Sequence, residues 1–289
     1  MSAVRCAVIP AAGLGTRMLP ATKAVPKEMI PIVDKPVIQY VVEEAVASGI
    51  DHIVIVTSAA KRAIEDHFDY FFEMDQRLRG AGKSVEADRL RAIADMASFT
   101  FVRQAEPLGN GHAVLCARKV VGDQPFAVLW GDDIVMGDPP CTRQLIDVYE
   151  QYGASVCAVM EVPDSDVSKY GVIDGVPVSD GTYKVTRLIE KPTREQAPSR
   201  LAAVKGYVLT PETFEILEET PVGQGGEIWL ADALNVLAER GRLYARAFTG
   251  QRYDAGNQLE ILKATVDVAL AREGLGDALR EHLRQAICS

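Results

Sequence analysis

The sequence of 289 residues contains no apolar run approaching the roughly 18–20 residues of a membrane span. Its opening, MSAVRCAVIPAAG, carries one arginine and a short apolar run that ends in a turn, without the longer apolar core of a secretory signal. A cytoplasmic location with no membrane partner is expected. Cysteine is scarce: Cys6, Cys116, Cys141, Cys157 and Cys288 form no C-x-x-C pair and have no histidine at metal-ligand spacing. They are expected as small buried hydrophobes rather than ligands or disulfides. Excess positive charge is also absent. With a formal net charge of −9, the chain lacks the basic face from which a general nucleic-acid binder releases counterions, so no nucleic-acid partner is expected. A polyanionic substrate would have to find its cations clustered locally. Internal repeats, low-complexity tracts and long linkers are missing too.

What remains is an alternation of two patterns. Apolar, β-branched runs at 4–10, 52–58, 99–104, 125–130 and 154–162 are separated by helical spacing. Near-continuous Val/Ile runs mark strands covered on both faces, as in a mostly parallel sheet. The expected fold is therefore α/β, a doubly wound, Rossmann-like sheet flanked by helices. Residues 35–49 supply the helix of one βαβ unit, ending at Gly49, and 61–97 read as a charged helical excursion broken at Gly80 and Gly82. From residue 170 the rhythm shortens, with Asp174-Gly175 and Asp180-Gly181 as turn signals between small antiparallel strands. A strand at 202–210, helices at 211–220 and 228–240, a strand at 243–248 and C-terminal helices from about 257 complete the chain.

The loop after the first strand, AAGLGTRMLPATKAVPKEM, lies at the carboxyl edge of the sheet, where open α/β folds bind ligands. Gly13 and Gly15 allow close backbone approach and positive φ, so that successive N–H groups can point at an anion. It is not a dinucleotide fingerprint, because Met18 stands where a small residue is needed, and not a P-loop, because Thr16-Arg17 follows Gly15. Arg17, Lys23 and Lys27, with Pro20 and Pro26 stiffening the segment between them, suit a triphosphate.

These residues carry a resemblance. The G-x-G-T-R…P-K pattern resembles the signature of the nucleoside-diphosphate-sugar pyrophosphorylases. KRAIEDHFDY, GHAVLCA, YGVID, IEKP, GGEIWLADAL and YDAGN follow in family order over about residues 5–270, closest to the bacterial UTP–glucose-1-phosphate uridylyltransferase branch. The resemblance implies one domain. Its nucleotide-binding half spans about 1–165, a small antiparallel sugar-phosphate-binding half about 166–256, and C-terminal helices about 257–289. It implies attack by a hexose 1-phosphate oxygen on the α-phosphorus of UTP, with Mg²⁺ as cofactor and pyrophosphate as leaving group. Charge neutralisation and in-line positioning, without a covalent nucleophile, would carry that reaction.

By the same resemblance Ala12, Gly13 and Gln104 read the base, with Gly109 closing over it. Gly15, Thr16, Arg17 and Lys27 hold the triphosphate. Asp132 is the metal aspartate, and Asp254 is a second metal candidate or a turn residue. Asp133 is open between a ligand and a cap. Gly171, Glu190 and Lys191 form the sugar-phosphate site, Lys191 facing the acceptor phosphate. Glu227 is either a sugar contact or the acidic first turn of a helix, and His112 is structural. Arg17, Lys27, Asp132 and Lys191 are the expected catalytic set. Asn110, Trp130-Gly131 and Trp229 depart from the branch pattern at places that can touch substrate selection.

Two rivals share or border this chemistry. One is a thymidylyltransferase, or a uridylyltransferase for another hexose phosphate. The other is a nucleotide-sugar-binding regulatory subunit without catalysis, which predicts losses at Arg17, Lys27, Asp132 or Lys191, all of which are present. The C-terminal helices can serve as the interface of a homodimer or homotetramer, or as a cap on the domain.

Overall fold

In the computed structural model, which describes residues 4–288, each apolar run of the first half forms a strand. The chain passes from β1 (Cys6–Pro10) through three single-turn 3-10 helices at Thr16–Met18, Ala21–Lys23 and Lys27–Met29. A small ribbon, β2 (Pro31–Ile32) with β3 (Lys35–Pro36), then leads into α1 (Val37–Ala47). Next come β4 (His52–Thr57), the excursion α2 (Arg62–Phe68), α3 (Phe72–Gly80) and α4 (Ser84–Ala94), and β5 (Ser98–Arg103). Helices α5 (Asn110–Cys116) and α6 (Arg118–Val121) precede β6 (Phe126–Leu129), β7 (Asp133–Met136), α7 (Cys141–Tyr152) and β8 (Ser155–Glu161). The hairpin β9 (Gly171–Ser179) and β10 (Thr182–Glu190) is followed by β11 (Leu201–Leu209), α8 (Glu212–Glu219) and α9 (Leu230–Glu239). Strands β12 (Leu243–Ala247) and β13 (Gln251–Asp254) and helices α10 (Gln258–Ala271) and α11 (Gly276–Cys288) end the chain.

A nine-stranded sheet in the order β5-β4-β1-β6-β11-β8-β12-β10-β9 runs through both halves. It is mixed rather than mostly parallel. β5, β4, β1 and β6 pair in parallel, as do β8 and β12, but β11 enters antiparallel between β6 and β8, and the β9–β10 hairpin pairs antiparallel with β12. The antiparallel part is continuous with the rest. Side chains along β1 and β4 alternate between two apolar layers. Ala7, Ile9, Ile53 and Ile55 belong to one layer with Val41 of α1 and Leu145 of α7. Cys6, Val8, Val54 and Val56 belong to the other with Val114 of α5 and Leu234 of α9. Each buried Val, Ile or Leu among them contributes about 1.5–3 kcal/mol, so a one-residue slip of register would exchange the layers at a large cost.

Asp174-Gly175 is not a turn. Both residues lie inside β9, where Gly175 opposes Val185 and Asp174 opposes Arg187, leaving Thr186 as an extra residue. A Cβ at Gly175 would stand 3.0 Å from the Lys184 carbonyl oxygen, so the glycine permits a close approach beside a bulge. Only Asp180-Gly181 turns the chain, with Gly181 at φ 63°.

Asn257 caps α10, its side-chain oxygen accepting from the Leu259 N–H at 2.9 Å. Arg272 at the far end grips Asp34 with two bonds of 2.6 Å. Cys6, Cys141 and Cys157 are buried and unpaired, and burial pushes their thiols above the usual range. The Cys288 side chain lies outside the described residues. Among the described residues no helix is long and apolar enough to cross a membrane.

Candidate active site

Two cavities of about 430 and 370 Å³ lie side by side at the carboxyl ends of β1 and β6. Ala12, Gly13, Leu14, Gln104, Gly109 and Glu227 line the first. Arg17, Tyr170, Gly171, Glu190, Tyr207 and Asp254 line the second. Lys27, Asn110, Trp130 and Asp132 belong to both. The loop residues at 12–27 thus meet the residues around 171 and 190 at one shared wall.

The first cavity opens over the glycine turn. A Cβ at Gly13 would meet nothing within 4 Å, so its backbone is bare to a ligand. Gly15, at φ 67°, packs on the stem of Lys27, whose Cβ would lie 3.2 Å from an added methyl, and its carbonyl accepts from the Thr22 hydroxyl at 2.8 Å. The turn therefore sets where Lys27 points. Thr16 begins the short helix Thr16–Met18, and Met18 itself is buried in the core. The residue that breaks the dinucleotide pattern is an anchor for the loop. Gln104 follows β5 and donates through its amide to the Gly109 carbonyl at 3.0 Å, with His112 Nδ1 equally close. His112 is tied to this amide and to Cys116 Sγ, as a structural residue would be.

Lys27 and Asp132 form an ion pair in the shared wall, their side chains only 18% and 15% exposed. Arg17 is 66% exposed and 3.8 Å from Asp254, a contact too loose and too wet to hold it against a polyanion. Asp132 and Asp254 adjoin each other: the Ala255 N–H donates to the Asp132 carbonyl at 2.8 Å, and the Gly256 N–H to Asp254 Oδ1 at 2.8 Å. Asp133 also lines the second cavity, but its carboxylate is already engaged. Arg252 grips its carboxylate at 2.6 and 2.8 Å, and the Lys205 N–H donates to it at 3.0 Å. Both of its carboxylate oxygens are taken up by these partners. Beneath it the fully buried Lys205, at φ 64°, reaches the Asp133 carbonyl at 2.8 Å and Glu44 at 2.7 Å.

In the second cavity Gly171 and Glu190 are cross-strand partners, and a Cβ at Gly171 would lie 2.9 Å from Glu190 Oε2. Burial raises the Glu190 carboxyl above its ordinary pKa, Lys191 opposes this, and Asp232 adds to it. Lys191 does not line the cavity. Its N–H donates to the Tyr170 carbonyl at 3.0 Å, its φ is 46°, and its ammonium stands 4.0 Å from Glu190 and 5.1 Å from the Trp229 ring. Glu227 differs in two respects from its expected place. It lies in the first cavity against Gly109 rather than with the sugar-side residues, and it does not open a helix, since α9 begins at Leu230. The reason is local pairing: the Ile228 N–H donates to the Leu108 carbonyl at 2.8 Å, pulling this segment onto the 108–111 loop.

The two candidate metal aspartates suit a hard divalent cation. Among the described residues no three His, Cys, Asp or Glu side chains converge. Mg²⁺ needs no such cage, because it takes one or two carboxylates and completes its shell with phosphates and water.

The sequence pattern described as "Nucleotidyl transferase" matches residues 6–270. The chain belongs to the nucleotidyl transferase family. The UTP–glucose-1-phosphate uridylyltransferase of Bacillus subtilis (strain 168) is 50% identical to this nucleotidyl transferase over 279 residues, covering 96% of each chain. A UDP-glucose pyrophosphorylase solved in complex with UDP-glucose superposes with a TM-score of 0.84 at 41% identity, over 93% of this chain and 100% of that one. A UTP-bound enzyme of the same kind from Acinetobacter baumannii reaches 0.90 at 38% identity, over 97% and 98%. Enzymes of this family use a divalent metal ion.

Several residues of the site carried no local signal. Arg252 and Lys205 reach Asp133 across 119 and 72 residues, and the buried pair Lys61–Glu28 closes at 2.7 Å across 33. Glu28 follows Lys27 and lines the first cavity; burial raises its carboxyl pKa against the pull of Lys61 and Lys27. Only the lysine of the PKE triplet was marked by spacing.

Proposed function

We propose that the protein is a Mg²⁺-dependent uridylyltransferase that joins UTP and glucose 1-phosphate into UDP-glucose and pyrophosphate. The observation that carries this reading is the shared wall: two cavities meet at Lys27 and Asp132, so two phosphorylated ligands can bring their phosphates together there. The first cavity receives the nucleotide. Gln104 and the backbone at Ala12 and Gly13 face the base, Gly109 covers it, and Gly15, Thr16 and Lys27 take the triphosphate, with Arg17 reaching its phosphates from the second cavity across the shared wall. The second receives the sugar, with Gly171 leaving room for it, Glu190 accepting from its hydroxyls and the exposed Lys191 ammonium turning in from outside the lining to hold its phosphate. The order of groups fits in-line attack on the α-phosphorus.

Two like-charged substrates repel, so their approach must be neutralised before bonds change. Arg17 can grip phosphate oxygens with its fork, and Lys27 acts as a point charge. A Mg²⁺ held by Asp132 and Asp254 would polarise the α-phosphoryl group and draw charge from the leaving pyrophosphate. Lys27 pairs with one carboxylate oxygen of Asp132, and an Asp132 turned to a bound cation would release that ammonium for phosphate. Glu227 borders the base and Gly109, and we assign it no sugar contact.

The test is pyrophosphate release over a matrix of nucleoside triphosphates and hexose 1-phosphates, with and without Mg²⁺. Release with UTP and glucose 1-phosphate above other pairings is expected. No release with any pairing overturns the reading, and preference for dTTP moves the chain to the thymidylyl rival.

A cytoplasmic homodimer or homotetramer is the expected form. Leu259 and Leu262 on α10, each about 60% exposed (58% and 62%), support self-association. Light scattering after size exclusion checks it.

A further inference from the structure

Trp229 is a fixed platform. On one side of it the Ile228 N–H donates to Leu108 and the Ile228 carbonyl accepts from the Gly111 N–H, at 2.8 and 2.9 Å. On the other the Leu230 N–H donates to the Asn110 side-chain oxygen at 2.9 Å. The segment is thus pinned to the loop beside the nucleotide cavity. Its indole N–H is buried without an acceptor, so the residue's polar handle does nothing to hold the ring there. What the ring does face is a cation: the Lys191 ammonium stands 5.1 Å from its centroid.

Lys191 is the movable partner. Its side chain is 57% exposed, its backbone sits at φ 46°, and the carboxylate beside it, Glu190, is 4.0 Å away, at the far limit of an ion pair. An unguided ammonium on a four-carbon stem next to a partly buried carboxylate would close on that carboxylate. Both groups would then be lost to substrate at once. The ring offers the ammonium a second, uncharged place to rest.

We infer that Trp229 is a positioning residue: its ring holds the Lys191 ammonium off Glu190, keeping the cation for the acceptor phosphate and the carboxylate for the sugar hydroxyls. This rests on the role given above to Lys191.

The test compares full-length Trp229→Leu, Trp229→Phe, Lys191→Ala and the combinations of each Trp229 variant with Lys191→Ala. Trp229→Leu should lower kcat/KM for glucose 1-phosphate roughly twofold to thirtyfold, the span of a cation–π contact, with KM for UTP unchanged. Trp229→Phe, which keeps a ring face, should recover most of this. In the Lys191→Ala background neither Trp229 variant should cost anything more. Additive losses in that background, or a phenylalanine no better than leucine, overturn the inference. A fully active Trp229→Leu beside an impaired Lys191→Ala overturns it alone. An unimpaired Lys191→Ala removes the underlying reading of Lys191, and the inference falls with it. Should Trp229→Leu fail to fold, Trp229→Phe alone and with Lys191→Ala still decides: a loss as large with Lys191 absent as with it present overturns the inference.

Discussion

Lys27 and Asp132, 105 residues apart in the chain, are joined in an ion pair at the wall between the two cavities. The pair couples the glycine-rich turn after β1 to the turn after β6. Asp132→Asn keeps the shape and removes the charge. It should lower turnover about 100-fold or more, the usual scale for one preorganised electrostatic contact, and raise the Mg²⁺ concentration giving half-maximal rate. Pyrophosphate release titrated with Mg²⁺ checks this, and an unchanged metal response would remove Asp132 from the metal site.

Lys191→Ala is expected to lower turnover far more than it loosens UTP binding, because the proposed contact is with the acceptor phosphate. Steady-state rates set beside calorimetric UTP titration separate the two. Equal losses would place Lys191 on the nucleotide.

Burial raises the Glu190 carboxyl above the ordinary glutamate range. As pH falls, it therefore takes up its proton earlier than a solvated glutamate would, and a protonated carboxyl accepts fewer hydroxyl hydrogen bonds. KM for glucose 1-phosphate should rise on the acid side while KM for UTP changes less. Glu190→Gln should show a raised KM that no longer varies over that acid limb. A limb that persists unaltered in Glu190→Gln belongs to another group, such as the substrate phosphate.

Arg252→Ala would leave the carboxylate of Asp133 buried without its ion-pair partner, held only by the Lys205 N–H. Breaking one side of such a pair costs about 3–5 kcal/mol, which urea unfolding can measure. Asp133→Asn together with Arg252→Met should cost less than Arg252→Ala alone, since no charge is then stranded. A loss below about 1 kcal/mol for Arg252→Ala would show the pair to be solvated.

The apolar strands of the first half were readable one by one. A β-branched run covered on both faces announces itself through its own residues, and the runs containing Val8, Ile55 and Val128 needed no knowledge of their neighbours. The turn at Gly13–Arg17 was equally local, because the residues that bare its backbone and those that charge it adjoin in the chain. Asp174-Gly175 misled because a glycine needed for close approach in a bulge looks like one needed for a turn.

Neighbourhood was decided in three dimensions. No local pattern says that β11 slips antiparallel between β6 and β8, since a strand's side chains record which faces are buried and not which strand donates its hydrogen bonds. Asp132 and Asp133 are adjacent acids of one type, yet one faces the shared wall and the other is locked by Arg252 and Lys205. That difference comes from a guanidinium brought from 119 residues away and a backbone N–H from 72 residues away. Glu227 was drawn to the first cavity by the pairing of Ile228 with Leu108. Residue type and spacing specify what chemistry a group can do; the partners that fix its direction and its charge are gathered only by the packed fold.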